Sequence, residues 1–234
     1  MINVYSYHNL YHLCVGAHNV LLVDNFRLAC YSDFLGVPPK FFKVQKRRTS
    51  IVNLESSMDN ILSAMKSNTR NEIRRAIRDN YIFETTKDTK YFVSFYNSFA
   101  QQKGLDKISQ KDITKYQDII LSLARLGNDI LSMHATIIDK MRKKAFLLYS
   151  ASSRFSNIGM CKQIGISNRF LHFKDLEFFK DEGLLLYDFS GVSENIEEPE
   201  KYKIGLFKKG FGGEMIDTVT VYSPIMSLLM KFKK

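Results

Sequence analysis

The stretch from Tyr187 to Glu214 constrains the fold of this chain more than any other. Leu184-Leu185-Leu186 runs directly into Tyr187-Asp188-Phe189-Ser190-Gly191-Val192. A short apolar run closed by glycine reads as a buried strand ending in a turn. Phe207-Lys208-Lys209-Gly210-Phe211-Gly212-Gly213 then sets paired cations beside three glycines. Glycine lets the main chain approach a ligand closely, and cations neutralise phosphate. The same residues also describe a plain strand–loop–strand connection with solvated lysines.

The rest of the chain alternates strand-like and helix-like patterns. Residues 18–54 read as β-rich, with 19–24 and 26–31 forming a hairpin across Asp24-Asn25 and a further strand over 49–54. Helical spacing recurs over 57–66 and again from Thr69, where Thr69 and Glu72 match a capping box. Arg70, Arg74 and Arg78 follow at steps of four and share one face of that helix. Residues 81–85 read as a strand, 91–102 as a helix with an aromatic core stripe, and 113–126 as a third long helix. Residues 130–138 and 145–152 form a hairpin. A helix spans about 167–179 and stops at Gly183, and 218–223 closes the region as a strand.

Composition narrows the functional classes. The 234 residues suffice for one large domain or two small ones, and 45% hydrophobic with 25% charged residues is ordinary for a soluble protein. The N-terminus lacks a basic region ahead of its apolar residues, so it does not read as a signal peptide. No apolar run reaches membrane-spanning length, so stable membrane insertion is not expected. Cys14, Cys30 and Cys161 are odd in number and far apart, which argues against disulfides and a zinc cluster and for a cytoplasmic setting. A net charge of +10 calls for an anionic partner: nucleic acid, a membrane surface or a phosphate-rich small ligand.

Three segments in register resemble the FemAB-like branch of the GNAT acyltransferase superfamily. Ser67 to Ala76 (SNTRNEIRRA) is similar to its Ser/Thr-Arg-x-x-Ile-Arg-x-Ala motif. Ile164 to Asp175 (IGISNRFLHFKD) resembles the stretch before its last core helix. YDFSGV followed by IGLFKKGFGGE resembles its Tyr-Asp-Phe-Gly-Gly turn and Phe-Lys-x-x-Phe-Gly motif, with Ser190 where the family often has glycine. The resemblance implies an α/β fold with a GNAT-type mixed, largely antiparallel sheet flanked by helices. Residues 127–234 would form the clearer unit, and 1–126 are open to being a degenerate second one.

Larger members of that family move amino acids from aminoacyl-tRNA to peptidoglycan precursors. Short relatives look like acyl-CoA-dependent N-acyltransferases of surface-polysaccharide synthesis. The expectation taken from the resemblance is the short form: an acyl-CoA donor (coenzyme A as co-substrate), a nucleotide-linked amino sugar acceptor such as a dTDP-amino-dideoxyhexose, and no metal. Aminoacyl-tRNA-dependent transfer and a non-enzymatic nucleic-acid-binding role are the alternatives, and homodimerisation stays open. Amide formation needs a proton acceptor and donors for a tetrahedral oxyanion. His172, Asp188 and Lys208 are the catalytic candidates. Arg70, Arg74, Arg154, Tyr187 and Phe207 are candidates for substrate and phosphate binding. Each has a bland counterpart: a packed core histidine, a turn-capping aspartate, a solvated basic face.

Overall fold

Among the described residues, ten strands join in one sheet. The computed structural model describes residues 1–6, 10–153 and 158–232. The N-terminal strands are β1 (Ile2–Ser6), β2 (Tyr11–Val15), β3 (Leu28–Ser32) and β4 (Lys43–Asn53). The rest are β5 (Ile82–Thr86), β6 (Ile119–Leu126), β7 (Asp129–Asp139), β8 (Lys144–Ser152), β9 (Leu186–Gly191) and β10 (Glu214–Tyr222). Their spatial order is β1-β2-β3-β10-β4-β9-β8-β7-β6-β5. Pairing is antiparallel except for β2 with β3 and β8 with β9. The predicted division at 126/127 falls in the turn between β6 and β7, and strands from both sides of it share the one sheet.

Helices α1 (Met58–Ala64), α2 (Ser67–Arg78), α3 (Thr89–Lys103) and α5 (Cys161–Asp181) cover the sheet. The largest core cluster lies where α1, α5 and the 207–211 segment meet the centre of the sheet. It includes Phe173, Leu176, Phe179, Tyr187, Phe189 and Phe211. The aromatic stripe of α3 is core as expected, with Phe92 and Tyr96 packed on Leu121, Leu123 and Met133. Gly183 ends the α5 region in a left-handed conformation, as read from sequence.

Three sequence expectations fail for identifiable reasons. Residues 113–126 are not a helix: α4 (Gln110–Thr114) is one short turn, and β6 follows. Strand β6 lies between β5 and β7 and is covered on both faces. Leu121 and Leu123 enter the α3 cluster, while Ala124 enters the one around Phe170 and Leu171. An apolar run buried on both faces has no period that separates strand from helix. Residues 19–24 do not form a hairpin strand, because Leu22–Phe26 is a 3-10 turn. That turn buries Asp24 against His12 Nδ1 at 2.5 Å and accepts a hydrogen bond from the Tyr31 hydroxyl. Strand β3 pairs instead with β2 and β10. The capping box also fails. Helix α2 starts at Ser67, Thr69 is buried inside it, and Glu72 reaches Arg169 at 2.8 Å.

The glycines after Lys209 serve packing. A Cβ on Gly210 would sit 2.9 Å from Thr69 Oγ1, and one on Gly213 would sit 2.5 Å from Ser50 Oγ. Gly212 combines φ +75° with a would-be Cβ 2.5 Å from the Ala64 carbonyl oxygen. The junction of α1 and α2 therefore rests on this glycine run, with Lys66 N–H donating to Gly210 O at 2.9 Å. Gly212→Ala is expected to lower stability by about 1–3 kcal/mol, from left-handed strain plus the clash. Urea denaturation will read this, and an unchanged midpoint would rule out the close approach.

Candidate active site

Strand β8 parts from β9 at the middle of the sheet. Their parallel ladder holds only Lys144↔Leu186, Ala145↔Tyr187 and Phe146↔Asp188. Beyond it β8 continues to Ser152 with no β9 partners. On its other edge, Ala135 pairs with Tyr149 and Thr136 with Leu147, so Leu148 is a bulge residue. Bulges re-aim the main chain beside functional sites. A cavity of about 260 Å³ reaches this parting, lined by Phe146, Leu147, Leu148, Ser190, Arg47 and Tyr222 among others.

Ser190 shapes the turn where β9 leaves. Its φ is +59°, the region glycine would adopt without cost. The serine gains something in exchange: its hydroxyl donates to Leu147 O at 2.6 Å, bridging the gap between the strands. Its N–H donates to Asp188 Oδ1 at 2.7 Å.

Asp188 is buried and engaged on all sides. Oδ1 also accepts from the Thr49 hydroxyl, and Oδ2 pairs with Lys144 Nζ at 2.9 Å. Lys144 is buried too and lies 3.2 Å from Asp33, which pairs with Arg142 at 2.7 Å. The carboxylate thus anchors the turn and balances a buried ammonium.

Lys208 sits on the other flank of the same turn. The expected extended loop is a helix here, α6 (Pro199–Lys209), and both lysines occupy its last turn. They still diverge, since neighbours on a helix lie about 100° apart. Lys208 Nζ donates to Gly191 O at 2.8 Å, whereas Lys209 pairs with Glu194 at 2.5 Å. Burial lowers the Lys208 pKa from 10.5 to about 8, with the Asp188 charge partly opposing that.

Behind Lys208 lies an aromatic wall. The His172 ring packs 5.1 Å from Phe189, 5.6 Å from Phe207 and 5.1 Å from Phe211. It lies 4.1 Å from the His134 ring, tilted by 36°. Burial above all, then the charges of His134, Lys208 and Arg169, holds its pKa well below the ordinary histidine range, so the ring is neutral. Its Nδ1 has no hydrogen-bond partner. Arg169 covers Phe207 at 5.0 Å. Tyr187 is fully buried, and burial pushes its hydroxyl pKa well up.

His172, Lys208, Phe207 and Tyr187 therefore converge, with Asp188 on the opposite face of β9. Arg70 lies outside the group: its guanidinium donates to Ser63 O at 2.8 Å and to Met65 O, closing the C-terminal end of α1. Arg74 is exposed on α2, and Arg154 lies outside the described residues. Sequence reading missed the His134–Asp175 pair, joined at 2.6 Å through Nδ1. Ser122 donates to Asp175 at 2.6 Å, and Asn168 Oδ1 lies 3.1 Å from His134 Nε2. The available signal was Ser132, His134 and Thr136 alternating along an otherwise apolar strand. Donor atoms of His134, His172 and Asp175 lie within 4.8 Å of one another. His134 and Asp175 bond to each other, to Asn168 and to Ser122, whereas His172 Nδ1 has no partner among the described residues.

A mixed, largely antiparallel sheet flanked by helices, with a parallel pair parting at its centre, is a FemAB-like form of the GNAT-type fold. Solved structures agree. FemX superposes with a TM-score of 0.70 at 13% identity, covering 99% of this chain and 86% of FemX. The C-terminal domain of a putative lysylphosphatidylglycerol synthetase from Agrobacterium fabrum gives 0.61 at 13% identity, covering 99% and 84%. L-PGS from Bacillus licheniformis gives 0.58 at 10% identity, covering 99% and 86%. No family model and no curated protein matches the chain. Identities this low establish the fold alone.

Proposed function

We propose that this protein is an aminoacyltransferase that moves an aminoacyl group from the ester of an aminoacyl-tRNA to an amine on a cell-wall precursor. The observation that carries the reading is the parting of β8 and β9, with a bulge at Leu148 and the half-buried ammonium of Lys208 beside it. The acceptor nitrogen attacks the ester carbonyl, the new C–N bond forms, and the C–O bond to the ribose breaks. The amine proton ends on the departing ribose oxygen. Main-chain N–H groups of β8 beyond Phe146 supply donors for the oxyanion, and Lys208 supplies positive charge nearby. His172 packs the wall that excludes water.

Two things favour tRNA over acyl-CoA as donor. Structural neighbours that cover 99% of this chain include FemX, the domain of a putative lysylphosphatidylglycerol synthetase and L-PGS, and the FemAB resemblance carries aminoacyl-tRNA as its donor. The net charge of +10 suits a polyanion. The acyl-CoA and nucleotide-sugar expectation lacks comparable support. The test offers labelled aminoacyl-tRNAs with cell-wall precursors, in parallel with acyl-CoAs and nucleotide amino sugars. Thiol release from acyl-CoA without label transfer from tRNA would overturn the proposal.

The basic helix gives a paired prediction. Arg74→Ala should weaken tRNA binding and reduce the salt slope by about one. Arg70→Ala should instead lower stability by about 1 kcal/mol, since its guanidinium holds carbonyls at a helix C-terminus. Filter binding across salt and thermal melts of both variants separate the two effects.

A further inference from the structure

We propose that the C-terminal helix α7 (Pro224–Phe232) and the 3-10 turn at Leu22–Phe26 form a docking surface for an anionic lipid bilayer. Helix α7 reads Pro-Ile-Met-Ser-Leu-Leu-Met-Lys-Phe and contains no buried residue. A helix that is apolar nearly all round is normally covered by protein or by lipid. Here Leu228 is 54% exposed and Phe232 78% exposed. The helix packs against the 3-10 turn, whose Leu22 and Phe26 are 86% and 80% exposed. Strand β10 leads into α7 with Tyr222 opposite Lys43, so the start of β4 adjoins the same end of the sheet. Phe41, 77% exposed, precedes that strand. Three segments distant in sequence thus expose large apolar side chains at one end of the molecule.

Charge selects the occupant. Lys40, Lys43 and Lys231 are exposed within these segments, and Lys233 and Lys234 follow α7 in the sequence. An apolar helix with cations around it is the pattern of a segment lying in the membrane interface. Anionic headgroups attract such cations. A second copy would bring the same cations against themselves, in a chain already at +10. No helix of the described residues is long and apolar enough to cross a membrane.

Vesicle sedimentation of the full chain tests this. Vesicles of mixed phosphatidylglycerol and phosphatidylcholine should bind it, pure phosphatidylcholine vesicles far less, and added salt should weaken binding. Phe26→Ser/Leu228→Ser/Phe232→Ser should lose at least about tenfold in binding with an unchanged melting temperature, since all three side chains are exposed. Lys43→Glu and Lys231→Glu should each cost about fivefold or more. The proposal is overturned if anionic vesicles do not bind, or if the apolar variant binds like the parent. It is also overturned if the parent is a micromolar dimer that the apolar variant dissociates, because a second copy would then cover the face. None of these outcomes depends on which donor the active site uses.

Discussion

Lys208→Met is expected to lose about 10²–10³-fold in turnover while folding more stably than the parent at neutral pH. The loss follows from removing the part-buried cation that α6 sets beside the β8–β9 parting, on the scale of a missing oxyanion donor. The gain follows from linkage. Burial depresses the Lys208 pKa from 10.5 to about 8. A depressed folded pKa means that the stability is fully present above the unfolded value and is lost as pH falls through about 8. At pH 7 the folded protein therefore carries a burial cost of about 3 kcal/mol. Methionine removes that cost but leaves Gly191 O without its donor, which returns about 1 kcal/mol or more. The net expectation is a variant about 1–2 kcal/mol more stable at pH 7. Between pH 8 and pH 10.5 the parent should catch up. Denaturation of both proteins at pH 7 and pH 10 measures the changing gap. Unchanged turnover would remove Lys208 from the site, and a gap independent of pH would refute its buried charge. Lys209→Met, which breaks only an exposed pair with Glu194, should be nearly silent.

Asp188→Asn should destabilise the fold by about 3 kcal/mol, because it leaves Lys144 buried with only Asp33 as counter-charge. The amide keeps one oxygen for the Ser190 N–H, which holds the loss near the lower end of the range for broken buried pairs. Lys144→Met should be destabilising for the reciprocal reason. The double variant should recover part of the loss, since a missing pair is cheaper than half a pair. A cycle of the four proteins by urea denaturation gives the coupling. If Asp188→Asn is as stable as the parent yet loses more than about 10²-fold in activity, the carboxylate handles a proton instead of holding the turn.

The sequence by itself determined most of the elements. YDFSGV is a buried strand ending at Gly191, helix α5 ends before Gly183, and the strands at 130–138 and 145–152 form a hairpin, because local periodicity and turn chemistry act within a few residues. The aromatic stripe of α3 was legible as core for the same reason. Lys208 and His172 were singled out separately, as catalytic candidates through the ordered motifs; their proximity was not legible, since nothing local links residues 36 positions apart.

Tertiary structure decided the rest. It made 119–126 a strand, because burial on both faces erases the period that would show one. It drew Asp24 into a 3-10 turn to satisfy His12 and Tyr31, which no pattern within 19–31 announces. It turned Arg70 back onto the carbonyls of α1 and set the glycines at 210–213 against α1, α2 and β4 instead of a ligand. It also joined His134 to Asp175 across 41 residues. A side chain's partner depends on which groups packing leaves unsatisfied nearby, and that is fixed only once distant segments have met.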